Sequence, residues 1–405
     1  MVNVAVLGYG TVGSGVAEVI WKNQELVNKK AETEVNLKYV LDLREFPGDP
    51  VEQVLVHDYQ VIVGDPEVHV ICETMGGLHP AYEFTKEALL QGKSVCTSNK
   101  ELVAAHGPEL LRIAREHNGS YLFEASVGGG IPIIRPLNDC LTAEKIESIM
   151  GILNGTTNFI LTKMDQEGAE FADVLKEAQE KGYAEKNPAA DVEGHDACRK
   201  IAILSSLMYG KTVDYQDIYT EGITKISATD FLYAKKMERS IKLLGMSKDE
   251  NGTCFAMVAP FMIPQSHILY SVNGVFNGIF IHSNMLDDSM YYGRGAGKLP
   301  TASAVVGDVI DCARNVGTSI ICQWDEEKKE LTSIDDVSTS FFVRIAGAQE
   351  EVLPKVEAIY GAVEVVAVEG VEGEFAFVVK NVAEKVYHEG TKKLDGILSM
   401  IRMEG

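Results

Sequence analysis

Apolar residues in the first third of the chain form short runs, and a stretch with helical spacing follows most of them. Val2–Leu7 is almost entirely apolar, as expected for a central strand of a parallel sheet that is buried on both faces. Further strands are predicted at residues 37–41, 68–72 and 121–124, and at Ser94–Thr97. Because these strands alternate with helical stretches, the pattern favours β-α-β units and an α/β domain with a parallel sheet.

Beyond about residue 146 the pattern changes, and long β-prone pieces are mixed with helices. Strands are predicted at residues 146–153, 256–261 and 275–282, and a helix is predicted at residues 171–181. Another helix begins at about residue 196, where apolar residues recur with helical spacing. This mixture indicates an α+β domain, whose sheet is a candidate for a subunit interface.

The C-terminal part of the chain begins with a polar stretch, residues 325–336, that has the composition of a linker. Beyond it the apolar periods predict strand, helix, strand, strand, helix and strand, at residues 341–345, 350–359, 363–368, 375–379, 382–393 and 397–402. This order is ferredoxin-like. It indicates a small appended domain without an obvious catalytic cluster.

The first strand is followed by a G-x-G-x-x-G pattern, formed by Gly8-Tyr9-Gly10-Thr11-Val12-Gly13. In this context the first glycine permits a tight turn, the second lets a pyrophosphate approach the backbone, and the third lets the helix pack on the strand. The helix N-terminus supplies N–H donors for the phosphates. The pattern therefore predicts a Rossmann-type dinucleotide-binding domain, and an ordinary glycine turn is the less favoured alternative.

Together these patterns predict three domains and a linker. Residues 1–126 form the Rossmann-type, doubly wound domain, which residues 298–318 complete. Residues 127–297 form the α+β domain. Residues 319–336 are the linker, and residues 337–405 form the ferredoxin-like domain.

The second predicted strand ends at Asp42. A carboxylate at this position accepts hydrogen bonds from the adenosine ribose hydroxyls and disfavours a 2′-phosphate. Arg44, two residues later, would attract that phosphate instead. Because the two residues favour different cofactors, the choice between NAD and NADP stays open.

Polar residues and glycines also follow later strands. Ser98 and Lys100 come directly after Ser94–Thr97, and ligands bind at the strand ends of an open parallel sheet. Lys100 is therefore expected to face cofactor or substrate, with a surface lysine as the simpler alternative. Three consecutive glycines at residues 128–130 leave carbonyl groups free to turn toward a ligand or a cation, although they also suit a flexible turn.

Three carboxylates and a lysine cluster along the stretch that ends at Lys200. Pro188 argues against a helix directly after it. Asp196 and Lys200 are four residues apart and lie on one face of the predicted helix. Glu185 and Asp191 precede that helix on a loop. From the spacing alone, a solvated ion pair is the simpler interpretation of Asp196 and Lys200, and only the other motifs favour a catalytic role.

The overall charge and the cysteines exclude several classes of protein. A formal net charge of −22 argues against nucleic acid or an anionic membrane as partner. The seven cysteines contain no C-x-x-C, so we expect free thiols in a reducing compartment and no zinc site. No apolar run is long enough to span a membrane, and no signal peptide precedes the first strand. These features predict a cytoplasmic protein that acts on a small molecule.

Residues 1 to about 320 resemble homoserine dehydrogenase. The resemblance rests on separate motifs that occur in the same order as in that family: Gly8 to Gly13, Thr97 to Lys100, Glu124 to Pro132, Asn154 to Asn158, Gly182 to Glu185 with Asp191, Asp196 and Lys200, and Arg294 to Gly297. The resemblance implies reversible reduction of L-aspartate 4-semialdehyde to L-homoserine with NAD(P)H, in the biosynthesis of threonine, methionine and isoleucine. It also implies that the domain of residues 127–297 binds substrate and forms a homodimer, or a homotetramer.

The resemblance also implies roles for single residues. Lys200 is the proton donor, Lys100 contacts both cofactor and substrate, and Glu185, Asp191 and Asp196 bind substrate. The cofactor-binding residues are Gly8, Tyr9, Gly10, Thr11, Val12, Gly13, Asp42, Ser98, Lys100, Gly182 and Gly297. A sodium ion is held by the backbone carbonyls of Glu124, Val127, Gly129 and Ile131.

Two departures from the family pattern affect these expectations. Leu41 stands where the family often has an arginine, which weakens the case for NADP and suggests NAD. The C-terminal domain resembles an ACT domain in element order, but residues 347–351 lack the Asp-x-Pro-Gly of that family. We therefore expect this ACT-like domain to respond weakly to threonine.

Two other functions fit the same scaffold. An aspartate semialdehyde dehydrogenase needs a nucleophilic cysteine with a neighbouring base, and no cysteine here lies in a strand-end motif with a paired histidine. A non-catalytic nucleotide-binding regulator would use the ACT-like domain as a sensor. The presence of Glu185, Asp196 and Lys200 argues against such a regulator.

Overall fold

The computed structural model describes residues 1–250 and 252–405, and the chain divides into two compact units. The first unit consists of Met1–Glu144, Ala202–Tyr215 and Tyr291–Lys329. The second consists of Lys145–Ile201, Gln216–Met290 and Glu330–Gly405. The C-terminal segment is thus part of the second unit, whereas the sequence suggested a separate third domain.

The first unit contains a parallel sheet. Its strands are β1 (Val2–Leu7), β2 (Val35–Leu41), β3 (Leu55–Val56), β4 (Val68–Glu73), β5 (Ser94–Thr97) and β6 (Tyr121–Leu122). The helices between them are α1 (Thr11–Lys22), α2 (Gln24–Ala31), α3 (Tyr59–Val63), α4 (Ala81–Leu90) and α5 (Lys100–Glu116). The six strands lie in the order β3-β2-β1-β4-β5-β6, and every pair is parallel. The prediction of a Rossmann-like α/β domain is confirmed.

The middle of the chain contributes to both units. Its strands are β7 (Ile146–Ile152), β8 (Lys211–Thr212), β9 (Tyr219–Thr220), β10 (Arg239–Glu250), β11 (Thr253–Pro264), β12 (Phe276–Ser283), β13 (Asp287–Arg294) and β14 (Asp325–Lys328). Its helices are α6 (Gly155–Glu167), α7 (Phe171–Glu180), α8 (Ala189–Val192), α9 (His195–Tyr209), α10 (Ala228–Lys236) and α11 (Lys298–Arg314).

The C-terminal segment has the predicted order of elements. They are β15 (Ser338–Ala346), α12 (Gln349–Tyr360), β16 (Glu364–Val366), β17 (Glu374–Ala383), α13 (Glu384–Thr391) and β18 (Ile397–Met403). The mixed sheet of the second unit runs β13-β12-β7-β10-β11-β18-β15-β17-β16, and β9 pairs with β11. Because β18 pairs in parallel with β11, one sheet continues from the middle of the chain into its C-terminal segment.

Helix α11 packs in the core of the first unit. Val305, Val309 and Cys312 are fully buried together with Val4 and Val6 of β1. A helix that is distant in sequence therefore covers the parallel sheet, as the sequence suggested for residues 298–318.

Two local expectations were wrong. Pro188 does not prevent a helix, because it is the N-cap residue of α8, where its missing N–H costs nothing. The predicted linker contains regular structure, since β14 pairs with β8. Trp324 is also buried, and its indole lies against Gly107 of α5, where a Cβ atom would be 2.8 Å from the ring.

Candidate active site

The glycine-rich loop after β1 has the geometry that a pyrophosphate requires. A Cβ atom on Gly13 would lie 1.8 Å from the carbonyl oxygen of Gly8, so only glycine lets α1 begin this close to β1. Gly8 has a φ of +91°, in the left-handed region. Gly10 is the N-cap residue of α1, and a Cβ atom there would meet nothing within 4 Å. The loop therefore leaves open space beside the N–H groups that begin α1.

Asp42, at the end of β2, is bound to the same loop and to Arg44. The N–H of Tyr9 donates to Asp42 Oδ2 at 2.8 Å. The guanidinium of Arg44 donates to Asp42 Oδ1 at 2.9 Å and to Oδ2 at 2.8 Å. These hydrogen bonds hold the pKa of Asp42 well below its usual range. Arg44 therefore folds back onto Asp42, so that the two residues form one group at the strand end.

Glu73, at the end of β4, is a residue whose role the sequence did not reveal. Its side chain is fully buried and accepts hydrogen bonds from the N–H of Met75 at 2.8 Å and the hydroxyl of Thr97 at 2.7 Å. Burial raises the pKa of Glu73. A strand-end carboxylate in a run of apolar residues was the available signal, but its partners become evident only when the strands are placed side by side.

Asn99 connects this region to Lys100. Its side-chain amide donates to the carbonyl of Gly77 at 2.6 Å, and its Oδ1 accepts from the N–H of Leu102 at 3.2 Å. Asn99 is the N-cap residue of α5, and Lys100 is the first residue of that helix. The structure thus places Ser98 and Lys100 at the carboxyl end of β5, as predicted.

The loop of Glu124 is fixed by buried hydrogen bonds. The carboxylate of Glu124 accepts from the N–H groups of Ile133 at 2.6 Å, Ile134 at 2.9 Å and Arg135 at 2.8 Å. The N–H of Glu124 donates to Asp308 Oδ2 at 3.0 Å, and Arg135 contacts the other oxygen of Asp308. The path of the loop is therefore determined by side chains on both sides of it.

The same loop contains carbonyl groups that suit a cation. In the part of the chain that the structure describes, the carbonyl of Gly128 accepts from Ile131 N–H, whereas those of Val127, Gly129 and Ile131 accept no backbone hydrogen bond. Val127, Gly129 and Ile131 are buried. Carbonyl oxygens that accept no backbone hydrogen bond suit a hard cation, so three of the four predicted sodium ligands have fitting chemistry.

Lys200 and Asp196 form a buried pair near the start of α9. Their side chains are 10% and 8% exposed, and Lys200 Nζ lies 2.8 Å from Asp196 Oδ2. Lys200 Nζ also donates to the carbonyl of Leu153 at 2.8 Å. The prediction that both residues lie on one helical face is confirmed, and the simpler interpretation of a solvated pair is excluded by their burial.

Asn154 connects this pair to Asp191. Its side-chain amide donates to Asp191 Oδ1 at 2.7 Å and to Asp196 Oδ2 at 2.9 Å. Its Oδ1 accepts from the N–H of Thr157 at 2.8 Å, which makes Asn154 the N-cap of α6. The sequence signal for Asn154 was an asparagine between a strand and a helix, and its contact with two carboxylates could not be predicted from that signal.

The other predicted site residues lie on loops. Glu185 is exposed, and its carbonyl accepts from the side-chain amide of Gln179 at 3.1 Å. Gly182 follows α7 with a φ of +73°, as a glycine that ends a helix should. Gly297 has a φ of +125° and is the N-cap residue of α11. The structure thus brings together Asp191, Asp196 and Lys200, and leaves Glu185 at the surface.

The described residues offer neither a side-chain metal site nor a membrane-spanning helix. The described side chains include no group of three or more His, Cys, Asp and Glu that could hold a metal ion. No helix within residues 1–250 and 252–405 is long and apolar enough to cross a membrane.

Comparisons with known proteins match nearly the whole chain. The family model for the NAD-binding domain of homoserine dehydrogenase matches residues 8–124, and the model for homoserine dehydrogenase matches residues 132–310. The homoserine dehydrogenase of Neisseria gonorrhoeae is 39% identical over 86% of this chain and 82% of its own length. That of Synechocystis is 41% identical over 85% of this chain and 82% of its own length.

The chain belongs to the homoserine dehydrogenase family.

Solved structures of homoserine dehydrogenases agree. The enzyme of Thiobacillus denitrificans has a TM-score of 0.91 and 34% identity, and the match covers 100% of this chain and 98% of the other. The enzyme of Staphylococcus aureus at pH 8.5 has a TM-score of 0.83 and 32% identity over 100% of this chain and 99% of the other. A hyperthermophilic archaeal homoserine dehydrogenase in complex with NADPH matches 77% of this chain and 97% of its own, with a TM-score of 0.66 and 29% identity.

Family membership confirms the function expected from the sequence. The protein is a homoserine dehydrogenase, an NAD(P)-dependent oxidoreductase that acts on a small-molecule substrate. The alternatives of an aspartate semialdehyde dehydrogenase and of a non-catalytic regulator are therefore not supported.

Proposed function

We propose that Lys200 donates the proton to the aldehyde oxygen when L-aspartate 4-semialdehyde is reduced to L-homoserine, and removes it in the reverse direction. The observation that carries this proposal is the buried ammonium group of Lys200, which lies 2.8 Å from both Asp196 Oδ2 and the carbonyl of Leu153. An ammonium group has three N–H donors, so one remains to meet the oxygen on which negative charge develops. Lys200 therefore acts as general acid, and Asp196 keeps it in place.

The carboxylates around Lys200 suit the amino end of the substrate. Asp191 and Asp196 both accept from the side-chain amide of Asn154, so two negative charges lie close together where they would attract an ammonium group. Glu185 lies on the loop before α8 and is proposed to approach the substrate from the surface. Such carboxylates would orient the substrate so that its aldehyde, and not its carboxylate, faces Lys200.

The first unit is proposed to bind the dinucleotide through Gly8, Tyr9, Gly10, Thr11, Val12 and Gly13. NAD or NADP, when bound, supplies or accepts the hydride. Lys100 and Ser98 would contact the cofactor, and Gly182 and Gly297 would line its nicotinamide end. The NADPH complex of the archaeal relative supports this assignment. We infer a preference for NAD, because Asp42 holds Arg44 and offers a carboxylate where a 2′-phosphate would lie.

A monovalent cation, sodium, is proposed to bind the carbonyls of Glu124, Val127, Gly129 and Ile131. The support is that three of these carbonyls, those of Val127, Gly129 and Ile131, belong to buried residues and accept no backbone hydrogen bond, as described above. A cation there would fix the loop that follows β6 without taking part in the reduction itself.

The C-terminal segment, residues 337–405, is proposed to be an ACT-like regulatory domain. Its elements follow the β-α-β-β-α-β order, and its strands lie in the order β18-β15-β17-β16, which is the arrangement of a ferredoxin-like fold. Strand β16 ends the sheet, and an unpaired edge is usually covered in the assembled protein. We propose a homodimer or homotetramer, in which this segment pairs with another copy of itself.

A cytoplasmic location is proposed from the chemistry of the cysteines. All seven are free thiols, five of them buried. Free thiols persist where the compartment is reducing.

The proposed function is tested by a spectrophotometric assay. Purified protein is mixed with L-homoserine and either NAD or NADP, and the formation of the reduced cofactor is followed in sodium buffer. We expect homoserine-dependent reduction of both cofactors, faster with NAD. Replacing sodium by tetramethylammonium should lower the rate, whereas an unchanged rate would contradict the cation site.

A further inference from the structure

The segment that carries Asp191 and Asp196 is packed against the residues that follow β9. The N–H of Ile223 donates to the carbonyl of Val192 at 2.8 Å. A Cβ atom on Gly222 would lie 2.1 Å from that carbonyl oxygen. The two segments therefore touch through their backbones, with no room for a side chain between them.

A second glycine, Gly194, brings the segment of Asp191 and Asp196 close to β9 and β11. In the sequence, Gly194 lies between Asp191 and Asp196, and its φ is +85°. A Cβ atom on it would lie 3.1 Å from Thr220 Cγ2 and 3.2 Å from Val258 Cγ1. The position of Asp196 relative to the sheet is therefore determined by β9 and the residues next to it.

The residues after β9 are held in turn by the last strand of the chain. The guanidinium of Arg402, on β18, donates to Glu221 Oε2 at 2.6 Å. The hydroxyl of Tyr219 donates to the same oxygen at 3.1 Å, and the Arg402 guanidinium lies 4.8 Å from the centroid of the Tyr219 ring. Glu221 is the residue directly before Gly222, so its side chain fixes the backbone that contacts Val192.

Arg402 is held firmly enough to act as an anchor. Its side chain is 1% exposed, and it binds Glu384 through two hydrogen bonds of 2.5 Å and 2.8 Å. Glu384 is equally buried and begins α13. Planar, bidentate contacts of this kind are geometrically specific. The anchor belongs to the C-terminal segment, whereas Glu221 directly precedes the backbone that contacts Val192, next to Asp191.

We propose that Glu221, held by Arg402, is a positioning residue for the homoserine site. Its carboxylate connects the C-terminal segment to the backbone that sets Asp191 and Asp196, and through them Lys200. This inference rests on the proposed roles of those three residues. It assigns the C-terminal segment an indirect part in shaping the substrate site, through Glu221, independent of any effector.

The test compares Glu221→Ala with a matched variant in the same sheet. Glu374 contacts Arg344, another buried arginine of the C-terminal segment, through two hydrogen bonds of 2.8 Å. Arg344 also binds Ser227 at 2.8 Å and Asp230 of α10 at 2.9 Å, both of which lie four or more residues beyond Ile223. Glu374→Ala therefore removes a comparable carboxylate without disturbing the contact with Val192.

For both variants, kcat and KM for L-homoserine, Kd for NADH and Tm are measured. Glu221→Ala is expected to raise KM for homoserine by about tenfold, the usual scale for coupling between groups in contact, with Kd for NADH unchanged. Glu221→Gln keeps an acceptor for Arg402 and is expected to restore KM to within about threefold of the starting value. Glu374→Ala is expected to lower Tm at least as much as Glu221→Ala, with KM within about twofold.

Two results would overturn the proposal. One is an unchanged KM in Glu221→Ala, and the other is an equal rise of KM in Glu221→Ala and Glu374→Ala, which would reflect general loss of stability. If Glu221→Ala does not fold, Gly222→Ala tests the same contact, because its methyl group would displace the carbonyl of Val192. An unchanged KM in that variant also overturns the proposal. Full activity of Lys200→Ala would instead refute the proposed function, whatever Glu221 does.

Discussion

Two ion pairs in this protein have the same closest distance and different surroundings. Lys200 and Asp196 in the second unit, and Arg44 and Asp42 in the first, are each joined by a contact of 2.8 Å. The side chains of Lys200 and Asp196 are 10% and 8% exposed, whereas that of Arg44 is 62% exposed. Asp42 is only 10% exposed, so the two pairs differ in the access of the cationic side chain to water and not in the distance between the charges.

The difference suits the two pairs to the different roles proposed for them. Water screens the Arg44 contact, so Arg44 can turn toward a bound nucleotide at little cost. The Lys200 pair is enclosed and bound to Asn154 and to the carbonyl of Leu153, and loss of one partner of such a pair costs about 3–5 kcal/mol. The enclosed pair suits the proton donor proposed for Lys200, and the exposed guanidinium suits the proposed selection between NAD and NADP.

The largest effect is expected from Lys200→Ala. Removing the general acid should lower kcat by at least about 100-fold with little change in the Kd of the cofactor. The assay is homoserine-dependent reduction of NAD, together with cofactor binding measured by fluorescence. Lys22→Ala is the matched control, because Lys22 pairs with Glu18 at 2.6 Å over the same i,i+4 spacing but is 73% exposed. Near-normal turnover of Lys200→Ala would remove Lys200 from the mechanism.

The next largest effect concerns the choice of cofactor. Asp42 and its hydrogen bond from Tyr9 should disfavour a 2′-phosphate, so we expect kcat/KM for NAD to exceed that for NADP by roughly tenfold or more. Asp42→Ala should reduce this ratio, because Arg44 is then released to meet the phosphate. A large preference for NADP in the unaltered protein would show that Arg44, and not Asp42, controls this pocket.

A smaller effect is expected from Arg44→Ala. Because Arg44 is exposed and its contact is screened, kcat/KM for NAD should change by less than about threefold, and Tm should hardly change. The kcat/KM for NADP should fall further, because the substitution removes the Arg44 guanidinium, which is held beside Asp42 by two hydrogen bonds. Equal losses with both cofactors would mean that Arg44 contacts a part of the nucleotide that NAD and NADP share.

The same contrast between enclosed and exposed groups explains which features could be predicted from sequence. Val2–Leu7 and Ser94–Thr97 were predicted with correct bounds, because apolar runs between glycines and polar residues report burial directly. Strand β10 was missed because Lys242 interrupts its apolar pattern. That lysine is buried all the same, since its ammonium group donates to the carbonyl of Val272 at 2.7 Å and to Asn273 at 2.8 Å. Burial lowers the pKa of Lys242 to about 8.

The candidate site shows a similar limit. The spacing of Asp196 and Lys200 placed both on one helical face, and the glycine pattern placed the nucleotide loop. Glu73 was missed and Asn154 was recognised only as part of a motif, without a role, because each contacts residues that are distant in sequence, Thr97 for one and Asp191 for the other. Contacts of this kind depend on the register of neighbouring elements, which the pattern of apolar residues does not specify.

The turn between β15 and α12 carries negative charges that an amino-acid ligand of this segment would have to approach. Ala348 is the N-cap residue of α12 and provides no side-chain cap, and Gly347 has a φ of +118°. Glu350 and Glu351 occupy the first turn of the helix and are exposed. Carboxylates there occupy the end of the helix dipole that would otherwise attract the carboxylate of an amino acid.

The smallest effect is therefore expected from threonine. If residues 337–405 form an ACT-like domain, the acidic first turn of α12 should oppose binding of the threonine carboxylate, and half-inhibition should require more than about 1 mM threonine. The measurement is a titration of threonine into the homoserine assay, with serine as a matched control for nonspecific effects. Glu350→Gln combined with Glu351→Gln should increase the response, because it removes two negative charges from the turn. Half-inhibition of the unaltered protein below about 1 mM would contradict the prediction and would imply that other residues complete the effector site.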